Sequence, residues 1–278
     1  MDNQPVVFPM RLKTVTLFLL ALLSAGVTAR TETPPDSSRR VRVLTFNILH
    51  GATTNNDFDL EVIARVIREA NPDFVALQEV DFLTGRARNL DLATELAWRT
   101  KMAPLFAGAM KFDGGEYGNA ILSRHTFIGT RKVALPFTGG REPRVAVEIT
   151  TILPSGDTIA FVGTHLDSQK DEKDRIAQAK NINEVFASNH FPTILAGDLN
   201  AMPGSVPVNL LEELWMATYD KGNPEPTFPS VNPMKKIDYV MCWPKNRWKV
   251  MESKVIPDAV ASDHCAYLVV LELRGGDE

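Results

Sequence analysis

Short apolar runs alternate with amphipathic segments along most of this chain. The runs are typical of strands, and they predict strands over 41–48, 73–77, 117–123, 145–153, 158–164, 193–197, 237–243 and 265–273. Apolar residues recur at helical spacing over 59–70, 91–98 and 171–186, which predicts three helices. Hairpins mixed with helical crossovers predict an α/β fold, a sandwich of two packed mixed β-sheets flanked by helices.

The N-terminal segment has the layout of a secretory signal. Residues 10–13 are basic, residues 15–23 are apolar, and small residues over 27–29 fit cleavage after Ala29. This predicts a signal peptide over 1–29, a flexible lead-in over 30–40 and a single domain over 41–275. The apolar run is shorter than the ~20 residues of a membrane span, so no stable span is expected. The chain is then exported to the periplasm, the cell surface or the medium; an uncleaved tether is the alternative.

Composition and charge exclude few classes of protein. The 278 residues are 44% hydrophobic, which suits one large globular domain. The net charge of −4 argues against tight, non-specific binding to nucleic acid, although a local basic groove stays open. Cys242 and Cys265 are the only cysteines. A disulfide between neighbouring strands and two buried free thiols are both compatible with their positions.

Polar residues that can bind a metal ion or a phosphate lie at the ends of at least five of the predicted strands. Because loops at strand ends can meet in one crevice, this recurrence predicts a shared site. Burying such groups without partners is costly, so a cation, a phosphate or a shared proton is expected among them. The residues are Asn47, Glu79, His165, Asp198 with Asn200, and Asp263 with His264.

Oxygen ligands for a hard cation are one component of this site. Glu79 emerges from a buried strand and suits Mg²⁺ or Mn²⁺, and a helix cap or a surface ion pair is the alternative. Asp198 and Asn200 are two residues apart, so in an extended segment their side chains share a face. They could orient a water and hold a phosphoryl oxygen, or they could form an Asx-turn.

Imidazoles and their partners form the second component. Asp238 lies inside a predicted strand and requires a partner, for which His264 is the candidate. Asp263 is a possible second ligand of the metal or of a water. A cationic His165 would stabilise charge on a phosphate. His50, His125 and His190 have no comparable setting.

Two further residues complete the set of candidates. Asn119 could bind phosphate, organise the pocket or stabilise a turn. Arg144 precedes a predicted strand and could face the anion, or it could form a surface salt bridge.

Seven segments, in order, resemble the motifs of the endonuclease/exonuclease/phosphatase superfamily. They span nearly all of residues 41–273, and the agreement of their order makes the resemblance specific. The segments are 45–48 (TFNI), 77–80 (LQEV), 117–124 (YGNAILSR), 164–167 (THLD), 197–200 (GDLN), 237–239 (IDY) and 262–264 (SDH).

The resemblance implies a four-layered α/β sandwich that cleaves phosphoester bonds with a divalent cation. It assigns Glu79 to the metal, with Asn47 close by and Asp263 supporting the metal or the water. It makes Asp198 the activator of the water and Asn200 a phosphate ligand. His264 with Asp238 would be the acid–base or phosphate-contacting pair.

The substrate is less well defined by the sequence. A histidine at position 165 is similar to the deoxyribonuclease, sphingomyelinase and phosphatase branches. The start of the domain, from Phe46 to Gly51, resembles an exported subgroup and a domain of lipid-remodelling proteins. By analogy this favours a lipid-linked or small phosphodiester over DNA. A secreted nuclease and a non-catalytic module that binds phosphorylated ligands are the rivals. A monomer is the default, and loops 81–90, 110–116 and 222–234 are expected to set the depth of the pocket.

Overall fold

The computed structural model describes residues 36–275, which form two mixed six-stranded sheets with four helices. The predicted α/β sandwich is therefore confirmed. The signal peptide predicted over 1–29 lies outside the described residues. Within the predicted lead-in, Asp36–Arg39 forms a 3-10 helix and Arg40 begins the first strand.

The first sheet has the strand order β11-β12-β1-β2-β4-β3. Its central strands β1 and β2 are parallel, and the other neighbouring strands are antiparallel. The strands are β1 (Arg40–Asn47), β2 (Phe74–Phe82), β3 (Ala103–Phe112), β4 (Gly115–Ser123), β11 (Trp248–Ile256) and β12 (Ala266–Leu273).

The second sheet has the order β5-β6-β7-β8-β10-β9 and repeats this arrangement. Strands β7 and β8 are the parallel central pair, again flanked by antiparallel neighbours. The strands are β5 (Phe127–Ala134), β6 (Val145–Ile152), β7 (Thr158–His165), β8 (Thr193–Asp198), β9 (Met216–Ala217) and β10 (Asp238–Trp243).

Two of the four helices begin at aspartates that cap them. Asp59 accepts hydrogen bonds from the amides of Glu61 and Val62, and Asp91 accepts one from the amide of Thr94. Among residues 36–275, no helix is long and apolar enough to cross a bilayer. The helices are α1 (Leu60–Ala70), α2 (Leu92–Thr100), α3 (Lys173–Phe186) and α4 (Val206–Leu214).

Alternation along the central strands produces the layers. In β1, Val41 and Val43 pack into the core between the sheets, whereas Leu44 and Phe46 pack with the apolar faces of α1 and α2. Helices α3 and α4 contribute Ala179, Ile182, Phe186, Val208 and Leu211 to the core around the second sheet. Because both faces of these strands are buried, their sequences read as continuous apolar runs.

Four strands that the sequence analysis did not predict lie at sheet edges, and one of them, β9, is only two residues long. β3 and β11 are the two edges of the first sheet, and β5 is an edge of the second. Their side chains are largely exposed or half-buried, with Lys and Arg among them. Edge strands carry such residues because a bare edge would pair with other chains, and the polar residues remove the apolar signal. Helix α4 was also not predicted.

The two cysteines are buried free thiols. Cys242 lies in β10 and Cys265 lies directly before β12. Of the two alternatives left open by the sequence, the structure therefore contains the unpaired one.

Candidate active site

The polar ends of the central strands meet at one edge of the two sheets. β1 ends at Asn47, β7 at His165 and β8 at Asp198, while β10 begins at Asp238. The register pairs His165 with Asp198, and Asp198 with Asp238, so these three residues lie side by side across the second sheet. The convergence that the sequence predicted is therefore present.

A crevice of about 390 Å³ opens at this edge. Most of the predicted site residues line it, and Asn47 and Asp238 lie buried at the same strand ends. The predicted residues that line it are Glu79, Arg144, His165, Asp198, Asn200, Asp263 and His264.

Glu79 reaches the crevice through a β-bulge. β2 does not end there as predicted but continues to Phe82, with a shift of register between Leu77 and Val80. Glu79 has φ +56°, a left-handed conformation that is uncommon for a residue with a side chain. A bulge re-aims a side chain without ending the strand, which explains how a residue inside β2 joins the site.

The Glu79 carboxylate stays ionised despite its surroundings. Burial opposes its charge, but His50 Nδ1 at 3.7 Å and Asn47 Nδ2 at 3.2 Å outweigh that cost and lower the pKa of Glu79 to about 2. His50, which the sequence analysis set aside, is thus part of the site. Its place three residues after Asn47, in the loop that follows β1, was the available signal.

Asn47 links the two halves of the site. Its Nδ2 donates to Glu79 Oε1 at 3.2 Å and to Asp198 Oδ2 at 3.3 Å, and its Oδ1 accepts from the amide of Leu49. The amide nitrogen therefore faces the carboxylates. In this arrangement Asn47 positions both carboxylates.

Asp198 is the most enclosed carboxylate in the crevice. It is 1% exposed, and its Oδ1 accepts from the amide of Asn200 at 2.8 Å, which is an Asx-type contact. Its Oδ2 lies 3.7 Å from His264 Nε2. Burial and the neighbouring carboxylate of Asp238 raise the pKa of Asp198 to about 7. Asp198 can therefore exchange a proton near neutral pH.

The pairing of His264 with Asp238 is present as expected. His264 Nδ1 lies 3.0 Å from Asp238 Oδ2, and both residues are buried. Burial opposes a charged ring, but Asp238 and Asp198 outweigh it and raise the pKa of His264 to about 10. The Phe228 ring lies 4.7 Å from the His264 ring and covers it. His264 is consequently a cation at neutral pH, and its Nε2 lies near Asp198 at the crevice.

His165 is neutral, and the expectation of a cationic imidazole at this position is wrong for this structure. Arg144 Nη1 donates to His165 Nδ1 at 2.9 Å, and burial together with this guanidinium holds the pKa of His165 well below its usual range. The ring proton then lies on Nε2, which is 3.4 Å from Asp198 Oδ2, while Asn200 Nδ2 donates to the carbonyl of Leu166 at 3.0 Å. The fixed positive charge in this part of the site belongs to Arg144.

Arg144 and Asp263 bring groups of opposite charge type, a guanidinium and a carboxyl group, to the lining of the crevice. Arg144 is 4% exposed, forms an ion pair with Glu142 at 3.1 Å and has an Nε without a hydrogen-bond partner among the described residues. Asp263 is half-buried, and burial raises its pKa above the usual range. Both side chains line the crevice, one as a cation and one as a carboxylate.

Like Asn47 and Asp238, the predicted residue Asn119 does not line the crevice. Its Nδ2 donates to the carbonyl of Val145 at 2.9 Å and so connects β4 with the start of β6. Because Arg144 directly precedes Val145, this hydrogen bond fixes the backbone beside Arg144. Of the roles considered for Asn119, organising the pocket is the one that its contacts fit.

The loops expected to set the depth of the pocket do form its walls. Arg86, Met110 and Phe228 come from the three loop regions named in the sequence analysis, and Phe112 and Tyr117 line the crevice beside them. Arg86 lies 4.4 Å above the Phe112 ring while it binds both oxygens of Asp81. Except for Tyr117, which begins the segment 117–124, these wall residues belong to none of the resembling segments, so the sequence indicated only the loops that hold them.

One cluster among residues 36–275 brings three potential metal ligands within 4.8 Å of one another. It consists of Asp198, Asp238 and His264, all buried. A second set of donors, Glu79 and Asp263, is half-buried and faces the open part of the crevice. The oxygen donors of this second set suit a hard cation that keeps several of its waters.

Comparison with known proteins agrees with this architecture. A family model described as "Endonuclease/Exonuclease/phosphatase family" matches residues 44–264. A solved endonuclease/exonuclease/phosphatase from Beutenbergia cavernae DSM 12333 is 25% identical and superposes with a TM-score of 0.71, covering 85% of this chain and 72% of that chain.

Two more distant structures share the fold. The mannosyl-6-phosphatase of Bacteroides thetaiotaomicron VPI-5482 is 18% identical, with a TM-score of 0.66 over 83% of this chain and 99% of that chain. The catalytic domain of human Nocturnin, solved with a bound sulfate anion, is 20% identical, with a TM-score of 0.67 over 85% of this chain and 95% of that chain. At these identities the likeness concerns the fold alone.

Proposed function

The chain belongs to the endonuclease/exonuclease/phosphatase family, and we propose that it is an exported, divalent-metal-dependent phosphoesterase that hydrolyses a small or lipid-linked phosphodiester. Members of this family are hydrolases that act on phosphoesters. The reaction class therefore rests on the family together with the residues in the crevice, and the substrate rests on the shape and charge of the crevice.

The observation that carries the proposal is a cradle of donors beside a carboxylate that can take a proton. Arg144 and protonated His264 line the crevice as cations, and His165 and Asn200 line it with them, so a phosphoryl oxygen placed there would face positive charge and N–H groups. Asp198 lies directly beside this cradle, 3.4 Å from His165 Nε2. A phosphoryl oxygen fits the donors, and a water fits Asp198.

We assign the cation to the rim of the crevice. Glu79 has an ionised carboxylate and Asp263 offers a second carboxyl group, and both are half-buried, so a cation held there could keep bound waters. This donor set fits Mg²⁺ or Mn²⁺. When bound, the cation would neutralise charge on the phosphoryl oxygens and on the leaving group.

The chain's own residues would supply positioning and proton transfer. A water attacks phosphorus in line with the departing ester oxygen, and its proton passes to Asp198, whose pKa of about 7 suits a base near neutral pH. The P–O bond to the ester group breaks as the new P–O bond forms. Protonated His264, held by Asp238, stabilises the charge that develops on the phosphoryl oxygens.

The shape of the crevice favours a diester over a monoester. Arg86, Phe112 and Tyr117 line one side of the crevice, and at Phe228 and His264, which line both spaces, the crevice adjoins a second cavity. A phosphorus atom between these two sides can carry a substituent toward each. A monoester has only one substituent on its phosphate, so a crevice that is closed at one end would favour a monoesterase.

Hydrolysis of bis-p-nitrophenyl phosphate with and without EDTA tests the proposal. We expect activity that EDTA abolishes, that Mg²⁺ or Mn²⁺ restores, and that His264→Ala reduces by about a thousandfold. Activity that survives chelation, or that survives this substitution, would contradict the mechanism. A parallel screen of phosphomonoesters reports whether the diester preference is correct.

A secreted nuclease is the second candidate, because cations flank one side of the site. Lys170, Arg175 and Lys235 line the second cavity, and a nuclease requires a basic groove beside its catalytic residues. Nicking of supercoiled plasmid at rates above those for small diesters would favour this alternative.

Export remains a proposal that rests on the sequence of residues 1–29, which lie outside the described residues. Fractionation of cells that express the full chain, and N-terminal sequencing of the exported product, test it. We expect a mature N-terminus at Arg30, and a chain retained inside the cell when residues 10–29 are removed.

A further inference from the structure

A second cavity opens from the crevice on the side of Phe228. It has a volume of about 270 Å³ and shares Ser168, Asn200, Phe228 and His264 with the crevice. A substrate whose phosphate contacts His264 and Asn200 can therefore extend one substituent directly into it. This is the space that one substituent of the proposed diester would enter.

The charge of the second cavity differs from that of the crevice. Lys170, Arg175 and Lys235 line it, and no aspartate or glutamate does. The crevice itself is lined by Glu79, Glu142, Asp198 and Asp263 as well as by its cations. We call the cavity lined by Lys170, Arg175 and Lys235 the cationic cleft, and its charge indicates an anionic occupant.

Both lysines of the cationic cleft are available to a ligand. Lys170 and Lys235 are exposed, and neither forms an ion pair with any residue between 36 and 275. The Lys235 Nζ lies 5.8 Å from the centre of the Phe228 ring, which itself covers His264. Lys235 and His264 therefore both lie beside the Phe228 ring, so the lysine is close to the crevice as well as in the second cavity.

Arg175 gives the cationic cleft a fixed wall. It is 5% exposed, and its Nη1 donates to the carbonyls of Asp167 and Gln169 at 2.9 and 2.5 Å. These bonds hold the loop that carries Lys170 against the first turns of α3. The Nε of Arg175 has no hydrogen-bond partner among the described residues. The cleft is thus built on a buried, ordered guanidinium and not on surface lysines alone.

We propose that the cationic cleft binds a second anionic group of the substrate, a phosphate or a carboxylate on one ester substituent. The inference rests on the proposed function, because it takes the phosphate beside His264 as the scissile one. It narrows the substrate class to phosphoesters with an additional negative charge on one side. The small volume of the cleft and the net charge of −4 favour a small ester over a polynucleotide.

Binding of a matched pair of probes tests the inference without requiring catalysis. Hexanediol bisphosphate and hexanediol monophosphate differ by one phosphate on a flexible spacer, and calorimetry with the full chain in Mg²⁺ gives both affinities. We expect the wild type to bind the bisphosphate about tenfold more tightly. The ratio falls toward unity in the double variant Lys170→Ala/Lys235→Ala. It also falls at high ionic strength, because exposed charges are screened.

A charge-matched control separates the cleft from net charge. Lys180 and Lys249 are exposed and lie outside the crevice and the cleft, so Lys180→Ala/Lys249→Ala should keep the tenfold ratio. Equal affinities in the wild type, or a ratio that survives the loss of Lys170 and Lys235, would overturn the inference. Plasmid binding that depends on the same two lysines as strongly as the bisphosphate does would overturn the assignment to a small ester.

The two proposals fail in different ways. If the wild type binds the bisphosphate tenfold more tightly but hydrolyses no phosphoester, the proposed function is refuted and the proposed role of the cationic cleft stands. If the wild type hydrolyses phosphoesters but binds the two probes equally, only the proposed role of the cationic cleft is refuted. Sedimentation with phosphatidic acid vesicles identifies the source of the group: lysine-dependent binding places it on a lipid headgroup, and its absence places it on a soluble ester.

Discussion

Two of the carboxylates that line the crevice, Glu79 and Asp198, have pKa values that are shifted in opposite directions. At the rim, Glu79 is half-buried and its pKa is lowered to about 2. In the interior, Asp198 is 1% exposed and its pKa is raised to about 7 by burial and by Asp238. The rim carboxylate stays ionised at all ordinary pH values, whereas the interior one can gain or lose a proton.

This difference assigns cation binding to the rim and proton transfer to the interior. A permanently ionised, partly hydrated carboxylate suits a hard cation that keeps its waters. The interior cluster of Asp198, Asp238 and His264 is close enough to hold a metal, but His264 Nδ1 is already bonded to Asp238 and the ring is a cation. The four predictions that follow test this division, from the largest effect to the smallest.

Replacing Asp198 with asparagine should have the largest effect on catalysis. The variant keeps the size and most contacts of the side chain but cannot accept a proton, so kcat should fall by about a thousandfold. The Mg²⁺ concentration for half-maximal rate should stay close to that of the wild type. Steady-state hydrolysis of bis-p-nitrophenyl phosphate measures both values. A raised Mg²⁺ requirement with little loss of kcat would reverse the assignment.

Replacing Glu79 with glutamine should give the opposite pattern. The Mg²⁺ concentration for half-maximal rate should rise about 10- to 100-fold, and saturating Mg²⁺ should restore most of kcat. The reason is that Glu79 is the ionised oxygen donor at the rim, whereas Asp198 still takes the proton. A loss of kcat that no Mg²⁺ concentration restores would place Glu79 in the chemical step.

The same two substitutions should shift stability in opposite directions in the metal-free protein at about pH 8. A carboxyl group whose folded-state pKa is raised destabilises the fold above that pKa, so Asp198→Asn should add about 1–2 kcal/mol. Glu79 has a lowered pKa, and Glu79→Gln should cost about 1 kcal/mol. Urea denaturation in EDTA measures both. The gain from Asp198→Asn should vanish as pH falls below about 4, where the unfolded carboxyl is also protonated.

His50 should have the smallest effect. Its Nδ1 lies 3.7 Å from Glu79 Oε2 at the half-buried rim, a distance at which it supports the charge of Glu79 without binding it tightly. His50→Ala should therefore weaken Mg²⁺ activation by about threefold and leave kcat at saturating Mg²⁺ unchanged. The matched control is His190→Ala, because His190 is exposed and lies outside the crevice. An effect as large as that of Glu79→Gln would make His50 a principal component of the rim.

The sequence predicted the central strands and the residues at their ends because those strands are buried on both faces. β1, β7 and β8 end within one residue of the predicted positions, and each places a polar side chain in the crevice or beside it. The edge strands β3, β5 and β11 escaped prediction because exposed, charged positions remove their apolar signal.

The parts of the site that the sequence did not reveal depend on tertiary geometry. The bulge at Glu79 requires knowledge of the partner strand β4, and the neutral state of His165 requires knowledge that Arg144 lies 2.9 Å away. His50 and Phe228 carried no motif, and they acquire their positions from the folds of the loops that contain them. Residue types indicated the chemistry, whereas charge states and wall residues needed the structure.

Direct measurement of Mn²⁺ binding tests the central assignment without relying on turnover. Paramagnetic resonance of free Mn²⁺ gives the affinity of the wild type, of Asp198→Asn and of Glu79→Gln in the same buffer. The account predicts that Glu79→Gln loses about 10- to 100-fold in affinity and that Asp198→Asn binds Mn²⁺ nearly as the wild type does. Retained affinity in Glu79→Gln, with affinity lost in Asp198→Asn, would place the cation in the buried cluster and contradict the account.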